Sequence, residues 1–108
     1  MACHNARMNA PDTERSLPDL AAVRAAIDGL DAKLVELLCE REALVRRAAE
    51  LKSTAAEVAA PDRALLVIRR AAEAAAARGA DPAVAEAVFT AMVQSFVALE
   101  LRAHAGES

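Results

Sequence analysis

The chain has 108 residues, enough for one small domain, with 13 Lys and Arg against 16 Asp and Glu for a net charge of −3. Hydrophobic residues make up 56% of it, yet there is no Trp or Tyr and only 2 Phe, while 30 Ala and 12 Leu dominate. Strands draw on β-branched and aromatic side chains and helices on Ala and Leu, so this composition excludes an all-β domain and argues against an α/β one. Nucleic-acid binders carry clustered cations and aromatic stacking platforms, and the chain has neither. Charged residues break the apolar runs every few positions, so no membrane-spanning run of about 20 residues is expected. Met1 to Leu17 lacks the apolar core of a signal peptide. Together these features predict a soluble, cytoplasmic protein without a membrane or nucleic-acid partner. Cys3 and Cys39 fall in a tail and a helix, which disfavours a disulfide or a thiolate site. His4 and His104 share no metal-ligand spacing with them, and no metal is expected.

In chain order, residues 1–15 are polar and aperiodic and read as a disordered tail, which leaves 16–105 as the helical domain. Ser16-Leu17-Pro18-Asp19 resembles a capping box with Ser16 as the N-cap. From there to about Ser53 no proline intervenes, and apolar residues recur at 20, 23, 27, 30, 34, 37, 44, 48 and 51. That alternating spacing of three and four predicts one long helix. Residues 53–60 (STAAEVAA) read as a connection. Pro61 suits the first turn of a second helix ending at Arg78, with Gly79 as terminator. Asp81-Pro82 then caps and starts a third helix, which runs to about His104 with Val88, Phe89, Met92, Val93, Phe96, Val97 and Leu99 on its apolar side.

A first helix of about 36 residues spans roughly 54 Å, whereas a compact domain of about 100 residues has a radius of gyration near 13 Å. The two shorter helices cannot cover its whole seam. The expected architecture is therefore an all-α protomer of three helices, with a long N-terminal helix intertwined with its copy in a homodimer.

Charge interrupts the apolar pattern at a few positions. Arg41 stands where the seam calls for leucine, and a buried guanidinium is costly unless it meets an anion. Lys52, eleven residues on, returns to within about 20° of the same face and lies roughly 16 Å along the axis, so both heads can converge on one pocket. Arg24 flanks the seam about 25 Å from Arg41, too far to share that pocket within one helix, but a partner chain could deliver it. Arg63 is unfavourably placed for the helix dipole in the first turn of its helix. Glu100 continues the stripe formed by 89, 93 and 96 and should face the interior. Plainer readings stand beside these: a solvated helix end for Lys52, a snorkelling surface side chain for Arg24, and an Arg41–Glu100 ion pair. Arg46, Arg47, Arg69 and Arg70 lie off the stripes and read as solvated.

The stretch VRAAIDGLDAKLVELLCER, the lysine eleven residues past its arginine, PDR opening the second helix and the Gly79-Ala80-Asp81-Pro82 turn resemble the all-helical chorismate mutases. They are similar too to the related isochorismate pyruvate lyases, and the likeness covers about Leu20 to Leu101. It implies an intertwined dimer whose sites are each completed by the partner's first helix. By that likeness Arg24 (from the partner) and Arg41 bind the two carboxylates of a small dicarboxylate substrate. Lys52 reaches a carboxylate and the ether oxygen, Arg63 supports the pocket, and Glu100 takes the place of a glutamine on the ether oxygen. The implied reaction is the rearrangement of chorismate to prephenate in aromatic amino-acid biosynthesis, which needs no cofactor. Ala64 stands where many mutases carry a glutamate for the ring hydroxyl, Phe96 where some carry serine, and the connection from Lys52 to Arg63 is short, as in the lyases. Isochorismate pyruvate lyase activity, giving salicylate and pyruvate, is therefore an alternative, as is a mutase acting on an amino-substituted chorismate. A non-catalytic helical dimer serving regulation or scaffolding is the alternative outside enzymes.

Overall fold

The computed structural model describes residues 17–106, so the predicted tail at 1–15 and the predicted cap Ser16 lie outside the described residues. Four helices account for nearly all of these: α1 (Leu20–Leu51), α2 (Ala55–Ala59), α3 (Pro61–Ala77) and α4 (Pro82–His104). No strand occurs among the described residues, and the fold is all-α as the composition requires.

Local chemistry sets the boundaries. Asp19 caps α1, its carboxylate accepting the Ala22 N–H at 2.9 Å, so the helix starts three residues later than a Ser16 cap would place it and has 32 residues. Residues 53–60 are not merely a connection. Thr54 Oγ1 accepts the Glu57 N–H at 3.1 Å and Glu57 Oε1 accepts the Ser53 N–H at 3.2 Å, a reciprocal cap that starts the short α2. Ala60, at φ 33°, then turns the chain into Pro61 and α3. A left-handed alanine costs about 1–2 kcal/mol, and here it forms the corner beside the cavity described below. At the end of α3, Gly79 adopts φ 80° while the Ala80 N–H donates to the Ala75 carbonyl and the Gly79 N–H to that of Ala76. These paired bonds close the helix as glycine terminators do, and Asp81 caps α4 through the Ala83 N–H at 2.9 Å.

The short turn makes α3 and α4 an antiparallel hairpin. α4 packs on α1, α2 and α3 and is the hub of the chain. Arg41 of α1 meets Phe96 of α4, and Lys52 meets Glu100 and His104, so α1 and α4 run in the same direction where they touch. α4 also corrects one expectation. Over 18 residues its mean hydropathy reaches 1.5, which makes it long and apolar enough to cross a membrane by length and composition. In this fold it lies against the other three helices, with Val93 and Glu100 buried.

The outline is a rod of 52 × 25 × 17 Å with a radius of gyration of 17.2 Å. Its cause is α1. Every residue from Val23 to Glu40 is exposed, and Leu30, Leu34 and Leu37 expose 59%, 56% and 60% of their surface. These are the seam positions, and a contiguous apolar strip of that length is foreign to the surface of a soluble monomer.

Candidate active site

The packed end of the rod holds a half-open cavity of about 450 Å³, walled by the second half of α1, the α2–α3 corner and α4. Most of its lining is aliphatic, including Leu44, Val45, Val67, Val93 and Val97. Into this apolar wall project Arg41, Lys52, Arg63 and Glu100. Three of the four are cationic, so the cavity presents a local positive excess inside an acidic chain.

Each charged group arrives there for a local reason. Arg41 and Lys52 share a face of α1, eleven residues apart, and Lys52 is the residue at which the helix stops. Its backbone is extended (φ −92°, ψ 139°), and its carbonyl accepts a hydrogen bond from His104 Nε2–H at 3.1 Å. That bond ties the end of α1 to the last turn of α4. The Lys52 ammonium donates to Glu100 Oε2 at 2.8 Å, with the two side chains 27% and 9% exposed. A solvated helix end therefore does not describe Lys52, and the plainer reading of an Arg41–Glu100 pair does not hold either, because Glu100 pairs with Lys52. Arg41 instead lies over the Phe96 ring, its guanidinium carbon 4.9 Å from the centroid. Arg63 is exposed at the rim, on the first turn of α3.

Arg24 is not part of this assembly. It lies on the exposed half of α1, roughly 25 Å along the axis from Arg41. Arg46 and Arg47 pair with Glu42 and Glu50 on the helix surface, at 3.1 and 3.3 Å, as solvated side chains do.

Two participants escape the sequence reading, Phe96 as the platform for Arg41 and His104 as the partner of the Lys52 carbonyl. The spacing of 96, 100 and 104 was the available signal, because residues four apart share one helix face. Phe96 reads there as core and His104 as a helix end.

The model of the family described as chorismate mutase type II matches residues 23–101. The chain belongs to that family. The matched span runs from the start of the exposed α1 seam to one residue past Glu100, and so takes in every charged group of the cavity. Membership brings chorismate mutase-type chemistry on a chorismate-type substrate, and the all-helical fold agrees with it. No curated protein and no solved structure matches the chain.

Proposed function

We propose that the protein is a chorismate mutase that converts chorismate to prephenate, acting as a homodimer in which each cavity takes Arg24 from the partner. The observation that carries this reading is the convergence of Arg41 and Lys52 on one largely aliphatic cavity, with Arg63 at its rim and Glu100 inside. Such a cavity selects a small dianion with an apolar body. Arginine forks suit its carboxylates, and the lysine ammonium suits an oxygen that gains charge.

The rearrangement is concerted: the ether C–O bond breaks as the new C–C bond forms, with no nucleophile and no proton lost. The protein's task is to hold the flexible dianion folded, so that the reacting carbons approach, and to stabilise the oxygen as it departs. Arg41 and the partner's Arg24 perform the first task by fixing the carboxylates. Lys52 performs the second by donating to the ether oxygen, beside an aliphatic wall that lowers the local dielectric and strengthens this interaction. Glu100, beside Lys52, can donate to the same oxygen only while protonated; ionised, it competes with the substrate for the Lys52 ammonium. The variant Glu100→Gln supplies a neutral amide donor there and leaves the Lys52 ammonium to the substrate, so its kcat/KM on chorismate should exceed that of the unaltered chain. An equal or lower kcat/KM would exclude this role.

Two features support the dimer: the exposed leucines of α1, which a second copy of the same helix would cover, and the distance that keeps Arg24 out of its own chain's cavity. A second reading has its own observation. Ala64 lines the cavity, and among the described lining residues Glu100 is the sole carboxylate, already on Lys52, so a ring hydroxyl finds no carboxylate acceptor of its own. Elimination of pyruvate from isochorismate uses the same cationic cage and a different ring position. Chorismate and isochorismate supplied separately distinguish the two: prephenate from the first supports the mutase, salicylate with pyruvate from the second supports the lyase, and turnover of neither contradicts both.

A further inference from the structure

We infer that Phe96 is a positioning residue, which holds the Arg41 guanidinium over its ring and leaves the N–H donors available to a ligand carboxylate. The inference deepens the proposed function and rests on the cavity being a dicarboxylate site. Three observations lead to it. The guanidinium carbon lies 4.9 Å from the Phe96 centroid, within the range of a cation–π contact. Among the described residues no carboxylate pairs with Arg41, although Glu100 projects into the same cavity and pairs with Lys52. Both Arg41 and Phe96 are half-buried, so the contact is partly shielded from water, where such contacts are strongest.

The geometry matters because of what each type of partner consumes. A carboxylate on Arg41 would occupy the planar N–H fork and have to be displaced by substrate. An aromatic ring under the guanidinium carbon brings no carboxylate, so the planar fork keeps its places for the oxygens of a ligand. The ring thus fixes orientation without competing for donors, and less side-chain freedom is left to lose on binding. Phe96 and Glu100 are also one helical turn apart. One face of α4 thereby sets both cations, Arg41 of α1 through a ring and Lys52, at the end of that helix, through a carboxylate.

The test compares Phe96→Leu, which keeps an apolar side chain but removes the ring, with Phe96→Tyr, which keeps the ring. Phe96→Leu should raise KM for whichever of chorismate or isochorismate is turned over by roughly 2- to 30-fold, with kcat changed less than KM. Phe96→Tyr should recover most of that loss. In an Arg41→Gln background, Phe96→Leu should add less than about a 2-fold effect, because the two substitutions remove one interaction. Equal KM values for the leucine and tyrosine variants, or a full Phe96→Leu effect without Arg41, would overturn the inference. A second readout is independent of turnover. The Arg41 Nε–H proton should resonate upfield under the ring current of Phe96 and lose that displacement in Phe96→Leu. An undisplaced resonance in the unaltered chain overturns the positioning role even in an active enzyme. A displaced one upholds it even if neither substrate reacts, the result that would sink the proposed function alone.

Discussion

Replacing Lys52 with alanine is expected to lower kcat/KM on chorismate by on the order of 10²- to 10³-fold, the loss that follows removal of one donor from a developing oxyanion. In the proposed mechanism the lost donor acts more strongly as the C–O bond breaks than in the bound substrate, so kcat should fall with kcat/KM and KM should change less. It also leaves the Glu100 carboxylate buried without its 2.8 Å partner. An unsatisfied buried polar group costs about 1–3 kcal/mol, so the variant should melt at a lower temperature. The double variant Lys52→Ala with Glu100→Gln removes that stranded charge. It should recover part of the stability and little of the activity. Steady-state kinetics with a thermal melt on each variant reads both quantities, and recovery of activity along with stability would show that Lys52 serves the fold alone.

Leu34→Glu should have its largest effect on assembly. Leu34 lies in the exposed strip of α1 with 56% of its surface open to water in the isolated chain, so in a monomer the change would be harmless. In a symmetric dimer it places two carboxylates in an apolar interface. An uncompensated buried charge costs about 3–5 kcal/mol, so the two together weaken association by about 10⁴- to 10⁷-fold. Light scattering across a concentration series should show dissociation, and circular dichroism should show loss of helix, because the outer half of α1 has little else to pack on. Unchanged mass and helicity would place the interface elsewhere.

Those two positions also mark how legible the protein was. The α1 seam could be read because a period of three and four over thirty residues leaves no other structure, and the same count showed that one chain could not cover it. The end of α3 and the start of α4 were legible because Gly79 and Asp81-Pro82 each act within one turn. The start of α1 was misplaced because Ser16 and Asp19 are both competent caps and composition does not choose between them. Only the hydrogen bond from Ala22 does. The short α2 was missed although Thr54-Ala55-Ala56-Glu57 has the spacing of a reciprocal cap; the segment reads as alanine-rich filler unless that pair is noticed.

In the site, the shared face of Arg41 and Lys52 was legible from their spacing, and the inward aspect of Glu100 from its stripe. Which cation Glu100 would meet was not. That depends on the register of α1 against α4, set by packing along the whole contact and by no residue alone. For the same reason Phe96 and His104 looked like core and helix end, and their roles appear only once α4 lies against Arg41 and the Lys52 carbonyl.

The central claim, that one site is built from two chains, has a direct test. Arg24→Ala and Lys52→Ala are each prepared alone, shown to be inactive, then unfolded together in equal amounts and refolded. If the partner's Arg24 completes the cavity, every mixed dimer regains one intact site and carries one doubly damaged one. Random pairing then restores about a quarter of the unaltered specific activity. Activity in the mixture no greater than the mean of the two separate variants would contradict the account.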